Sequence, residues 1–144
     1  MPTKSFSKWK GDNGILNYIK TRTNCNPFSG CGINIRYDSQ TAILKSVDNT
    51  YYYDDDLTDE DIVQYTLFGH NGDQDINEKK FNKPLLNNNK IKNIYLYRCI
   101  YGGKIKEYIW YGKYEIIGMF YKQHQGKDNN QRRIILLNLR KISD

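Results

Sequence analysis

Six carboxylates fall within the eight residues Asp54–Asp61, and three tyrosines, Tyr51–Tyr53, run straight into them. Three kinds of chemistry use such a mixture. Clustered carboxylates hold divalent cations, but "DDDLTDED" lacks the alternating ligand spacing and the glycine of a calcium loop. "TDED" over Thr58–Asp61 fits a capping box with Thr58 as N-cap of a short helical turn, and this is favoured over a metal site. The third task is to hold a nucleobase taken out of a duplex, sandwiched between aromatic rings while polar groups read its Watson–Crick edge. Cytosine donates through its exocyclic amino group, so a carboxylate in a tyrosine-walled pocket is a fitting acceptor. The plainer alternative is that the tyrosines pack a β core and the carboxylates are solvated, as Asp54 and Asp55 are expected to be.

Catalytic chemistry is poorly represented. His70 and His124 lie in unrelated segments, and no zinc spacing, Gly-rich phosphate loop or nucleophile elbow is present. "GHNGD" at 69–73 shares a few letters with an HNH nuclease core but lacks the downstream histidine, so it reads as a polar turn. No catalytic residue, metal or cofactor is expected. Cys25, Cys31 and Cys99 have no disulfide spacing and read as reduced thiols of an intracellular protein, cytoplasmic in a prokaryote or nuclear in a eukaryote. Neither a secretory signal nor a membrane-spanning run is evident. The net charge of +6 is uneven: residues 1–78 carry 7 basic and 12 acidic side chains, residues 79–144 carry 15 and 4. A basic half suits a polyanion, although a lysine-rich solvated surface has the same composition.

The elements that must position these residues are mostly strands. Short segments rich in β-branched and aromatic residues at 33–36, 41–47, 92–101, 107–121 and 132–140 predict them. "YGGK" at 101–104 predicts a hairpin turn and "YGKY" at 111–114 a second bend. Helices are expected at 13–20 and at 75–82, the latter ending before Pro84. "NNNK" at 87–90 and "QHQGKDNNQ" at 123–131 predict polar loops. A chain of 144 residues accommodates one domain, and the pattern predicts an α+β, mainly β fold, a barrel with one or two short helices.

With the elements placed, the residues resemble the SRA domain (SET- and RING-associated, also called YDG), a PUA-like twisted β-barrel that flips 5-methylcytosine into a pocket. In that family an Asp follows a Tyr at plus three, and a Tyr-Thr pair begins nine positions later. Here Tyr53, Asp56 and Tyr65-Thr66 keep both spacings. "CGI" (31–33), "FNKPLL" (81–86), "KNIYLYR" (92–98), "WYGKY" (110–114) and "RRIILLNLR" follow in the family's order. "GHNGDQ" (69–74) and "DNNQRR" (128–133) are similar to elements of SRA-like domains fused to bacterial McrA-type HNH restriction endonucleases. Leu67 stands where the family has Gly, and Tyr111 where it has Asp.

The resemblance implies roles. Tyr53 and Tyr65 would stack on the base, Asp56 would accept from cytosine N4, Thr66 would line the wall near C5, and Gly69 would follow the Tyr-Thr pair. Lys79, Lys80, Lys83, Arg132 and Arg133 are candidate contacts to the DNA backbone. Residues 1–29 would be an N-terminal extension whose helix packs on the barrel, and residues 30–144 the modified-base-binding domain. The expected function is a non-catalytic reader that binds 5-methylcytosine or 5-hydroxymethylcytosine in double-stranded DNA by base flipping and serves restriction or defence. A separate nuclease or effector would supply any cutting. The rival readings are a metal-dependent nuclease subunit using Asp54–Asp61 or His70, a PUA- or ASCH-like RNA-binding module, and a tyrosine-rich partner-binding domain.

Overall fold

The computed structural model describes residues 3–28, 32–48, 53–102, 105–125 and 130–144. Tyr51, Tyr52, Gly103, Lys104, Cys31 and Asp128, which figure in the stretches quoted above, lie outside the described residues. The element order is β1 (Lys4–Phe6), α1 (Ile15–Thr23), β2 (Ile33–Arg36), β3 (Thr41–Val47), β4 (Ile62–Thr66), α2 (Asn82–Leu86), β5 (Asn93–Gly102), β6 (Ile105–Gln125) and β7 (Gln131–Ser143). The strands form a single sheet ordered β2-β3-β5-β6-β7-β4, with β1 added to β6, curled into a half-barrel. The mainly β class with two short helices is as the strand-rich segments predict.

Alternation along the strands divides the apolar residues between two faces. Ala42 and Leu44 of β3, Ile94 and Leu96 of β5, Val63 and Tyr65 of β4, and Ile135, Leu137 and Leu139 of β7 fill the concave side. Ile43, Tyr97, Cys99, Tyr108 and Trp110 face the other way and are covered by Ile15 and Ile19 of α1, with Phe6 and Trp9. A sheet covered on both faces needs strands apolar on both sides, which explains the tyrosines alternating with aliphatics in "NIYLY". Cys25 and Cys99 are buried free thiols.

Three local readings are corrected. Helix α2 does not span 75–82; it runs Asn82–Leu86 with Pro84 inside its first turn. There the missing N–H has no intrahelical partner to lose, so proline starts this helix rather than stopping it. Thr58 caps no helix: 58–61 are bends, and Thr58 instead donates its N–H and hydroxyl to Asp56 Oδ1. "YGKY" is not a bend between strands but an irregularity within the 21-residue β6. Residues up to Tyr114 pair with β5 and residues from Lys113 with β7, with register shifts on both sides of the changeover. Gly112 makes this possible with φ +114°, and a Cβ there would stand 2.4 Å from Ser143 O.

One pairing in the path, β3 with β5, is parallel. A parallel pair requires a crossover, and the chain between Val47 and Asn93 supplies it. It leaves the end of β3, passes the open side of the half-barrel, forms β4 against β7 at the far edge, and returns through α2. The tyrosine–carboxylate stretch is the first part of that crossover. Tyr65 closes the open side. It is 3% exposed, and from β4 its hydroxyl donates toward Gly32 O (2.9 Å) and Lys45 O (3.1 Å) at the opposite edge.

Two variants test this frame. Gly112→Ala combines a disfavoured φ with a backbone clash and should cost at least about 2 kcal/mol, read as a lowered denaturation midpoint at unchanged m-value. Tyr65→Phe removes only the cross-barrel hydrogen bond and should cost about 0.5–1.5 kcal/mol, lowering the melting temperature by a few degrees with the fold retained.

Candidate functional site

The segment Tyr53–Leu57 is extended and bridges to β4 through Asp56 and Gln64. Asp56 N donates to Gln64 O and Gln64 N to Asp56 O, both at 2.9 Å. Successive side chains of an extended chain point to opposite sides, and the three adjacent aspartates obey this. Asp54 turns outward and pairs with Lys122. Asp55 turns inward: Oδ2 accepts from the Ser46 hydroxyl at 2.6 Å and Oδ1 from Thr66 N–H at 2.7 Å. Asp56 turns outward again, exposed, bound to Thr58. The electrostatics follow. The hydrogen bonds from Thr58 hold the Asp56 carboxyl below its ordinary value. Burial pushes the Asp55 carboxyl above its own, against its hydrogen bonds from Ser46 and Thr66, with the Asp54 charge adding to the rise.

A cleft of about 390 Å³ opens beside Asp55, lined by Ser46, Val47 and Asp48 of the β3 end, by Tyr53, Asp54, Asp55 and Leu57 of the crossover, and by Arg98 of β5. Ser46 and Arg98 are register partners on the two parallel strands. They continue the rows Ala42–Leu44 and Ile94–Leu96, so the cleft lies at the end of the concave face, where the apolar core gives way to polar side chains. It can take a planar ring against Tyr53 and offer that ring an acceptor, Asp55, and a cation, Arg98.

The residues singled out in the sequence separate into groups. Tyr53 is partly exposed and borders the cleft, with the His70 ring 5.6 Å away. Tyr65 is in the core, and its hydroxyl is pushed well above the ordinary tyrosine value, chiefly by burial. Thr66 is buried; its N–H goes to Asp55 and its hydroxyl accepts from Asp54 N–H at 2.9 Å. Gly69, at φ +140°, packs on Gln74. Lys79, Lys80, Lys83 and Arg133 are exposed. Arg132 is 4% exposed and its guanidinium donates to Gly69 O (2.7 Å) and Gly72 O (3.3 Å).

Those last contacts explain "GHNGDQ". The Gln74 amide donates to Leu67 O and Gly69 O and accepts from Ile135 N–H, while Asp73 accepts from Arg133 N–H. Asn82 clasps Phe68 from α2 through both its amide atoms. The loop after β4 is thereby fixed to β7 and α2, holding His70 beside Tyr53, with the Phe68 ring 5.8 Å from that of His70. Ser46 and Arg98 were not singled out in the sequence, and Asp55, expected there to be solvated, is instead turned inward and held by Ser46 and Thr66. A signal existed for Arg98: in "NIYLYR" it is the charged residue on the row of Ile94 and Leu96.

Among the described residues no group of three or more His, Cys, Asp or Glu is arranged to hold a metal ion, and no helix is long and apolar enough to cross a membrane.

Several solved structures share the fold. The chain is similar to KRYPTONITE in complex with mCHH DNA, a histone H3 peptide and SAH (17% identity, TM-score 0.62), with 98% of this chain covering 31% of that one. It is similar to the sulfur-binding and SRA domains of ScoMcrA complexed with phosphorothioated DNA (17%, TM-score 0.61), with 100% of this chain covering 40% of that one. It is also similar to the SUVH5 SRA–methylated CHH DNA complex (23%, TM-score 0.58; 89% and 84%). The chain thus spans about a third of KRYPTONITE's length and less than half of the ScoMcrA chain. No curated protein matches it. Residues 28–144 match the ScoMcrA-like SRA domain, and the chain belongs to that family.

Proposed function

We propose that this domain reads modified cytosine, 5-methylcytosine or 5-hydroxymethylcytosine, in double-stranded DNA by taking the base out of the duplex into the cleft at Tyr53, Asp55 and Arg98. The observation that carries the reading is the inward Asp55, fixed by Ser46 and Thr66 at the wall of a ring-bordered cleft. Each carboxyl oxygen keeps a further lone pair, and cytosine N4 is a donor that can meet it; thymine presents an acceptor at that position and is rejected. Two relatives in this fold are bound to methylated DNA, and ScoMcrA is a phosphorothioation-dependent restriction endonuclease. A role in restriction or defence, with cleavage supplied by a nuclease outside these residues, fits that company.

In this reading Tyr53 is the ring that stacks, while Tyr65 supports the cleft from behind by holding the barrel shut. Asp55 takes the part that the Tyr-plus-three spacing assigns to Asp56. Lys79, Lys80, Lys83 and Arg133 are left to meet phosphates, and Arg132 stays a clamp for the loop. Flipping costs a few kcal/mol of unstacking, and a buried methyl returns only about 0.8 kcal/mol. The ring stack and the Asp55 contact therefore carry most of the compensation, and the preference over plain cytosine should be modest.

A titration on duplexes carrying cytosine, 5-methylcytosine or 5-hydroxymethylcytosine at one site tests the proposal. Wild type should prefer a modified duplex by about fourfold for one buried methyl, rising to about tenfold where the wall closes round it. Asp55→Asn should lose most of that preference, whereas Asp56→Ala should keep it. Fluorescence of 2-aminopurine opposite the modified base should rise on binding if the base leaves the stack. Equal binding of all three duplexes, or loss of preference in Asp56→Ala alone, would overturn the assignment.

The same carboxyl makes a pH prediction. Its folded-state value lies above the unfolded one, so Asp55 favours the fold below about pH 4 and that contribution is lost as pH rises through the raised value. Asp55→Asn removes the titration. In denaturant unfolding, wild type should lose stability relative to Asp55→Asn as pH rises above 4, and the gap should level off once Asp55 is ionised in both states.

A further inference from the structure

Among the described residues the cleft contains a cation, Arg98, with no carboxylate paired to it. Arg98 is partly buried, its Nε is shielded from solvent without a hydrogen-bond partner, and among the described residues it forms no ion pair. The carboxylates around the cleft are engaged elsewhere. Asp48 Oδ1 accepts from Tyr101 N–H at 2.9 Å, Asp54 pairs with Lys122, and Asp55 is bound by Ser46 and Thr66. A guanidinium carries five N–H donors, and an enclosed one is ordinarily satisfied. Arg132 shows the structural alternative in the same molecule, a buried arginine bound to two backbone carbonyls. Arg98 instead extends the apolar row of Ile94 and Leu96 into the cleft, beside Ser46 and hence beside the group that holds Asp55.

We infer that Arg98 is the donor arm of the base pocket: its guanidinium donates to a ring acceptor of the inserted base, O2 or N3 of cytosine, while Asp55 accepts from N4. This rests on the proposed function and adds a specificity-determining residue to it. An acceptor and a fork of donors set against one ring edge match cytosine, whose N4 donor adjoins N3 and O2 acceptors. A phosphate is the other acceptor an arginine commonly takes. It is disfavoured here because Arg98 sits on the concave face with Asp48, Asp54 and Asp55 around the same cleft, a setting that repels a phosphate and tolerates a neutral ring.

Salt dependence separates the two acceptors. Affinities of wild type, Arg98→Met and Arg98→Lys for duplexes carrying modified cytosine or thymine at one site would be measured across a salt series, with thermal melts to verify folding. The expected result is that Arg98→Met lowers the modified-cytosine-over-thymine ratio about tenfold or more and leaves the log–log salt slope unchanged. Arg98→Lys, which keeps the charge and loses the planar fork, should recover only part of the ratio. A slope reduced by about 0.9 with the ratio intact would make Arg98 a phosphate contact and overturn the inference; so would no change in either quantity. If Arg98→Met does not fold, Arg98→Lys decides alone: a wild-type ratio refutes the inference and a reduced one at constant slope upholds it. A ratio lost in Asp55→Asn but kept in Arg98→Met sinks this inference only, whereas a wild type without any ratio sinks the base-reading proposal with it.

Discussion

The fold depends on how the two edges of an open half-barrel are held together. Strands β2 and β4 end the sheet and are not hydrogen-bonded to each other. The gap is closed from the β4 side by Tyr65, whose hydroxyl reaches Gly32 and Lys45. Asp55 closes it a second time, joining Ser46 of β3 to Thr66 of β4 through one carboxyl group. Both ties are made by polar groups, Tyr65 within the apolar core and Asp55 at its edge, where a made hydrogen bond contributes modestly and an unmade one costs more. The closure therefore specifies one arrangement of the crossover more strongly than it stabilises it. Because the cleft is formed between the β3 end and that crossover, the constraint that closes the barrel also shapes the site.

Much of the fold was legible because periodicity carries it. The segments "TAILKSV", "NIYLYRCIY" and "RRIILLNLR" alternate or run apolar as strands covered on both faces must, and each became the strand expected. Strand β4 was missed although "IVQYT" has a strand's composition, because the carboxylates before it read as a helix cap; the other missed elements are those whose stability is tertiary. β1 is three residues held by β6. α2 is five residues around a proline, ordered by Glu78, whose carboxylate accepts from the N–H groups of Lys80, Phe81 and Asn82. No local pattern announces either. "YGKY" showed its glycine plainly, but whether a glycine turns a chain or kinks a continuous strand depends on what lies across from it, here Ser143.

The sequence marked the tyrosine–carboxylate stretch but not which of its carboxylates turns inward. The tyrosine–carboxylate stretch does border the cleft, yet Asp55 rather than Asp56 faces inward. Spacing counts positions, whereas orientation depends on the parity of an extended segment, and one residue reverses it. That parity is set by the bridge between Asp56 and Gln64, a contact between residues whose pairing no sequence pattern advertised. Tyr65 is the converse case: a spacing that marks it is equally well explained by a structural duty, since a ring carrying a buried hydroxyl at the closure is as constrained as one that stacks on a ligand.

The division of labour that follows for DNA binding is a matter of where charge is placed. Lys79, Lys80, Lys83 and Arg133 are exposed, so under the proposed function their attraction to a duplex would be sequence-independent and screened by salt. In the cleft Asp55 is turned inward and already displaced from its ordinary ionisation by burial. A shielded acceptor distinguishes ligands sharply because a mismatched partner leaves it unsatisfied, with no water to take its place. In the proposed reading affinity and discrimination reside in different residues, and they should respond separately to salt, to pH and to substitution. A protein whose surface was merely basic would show only the first of these responses.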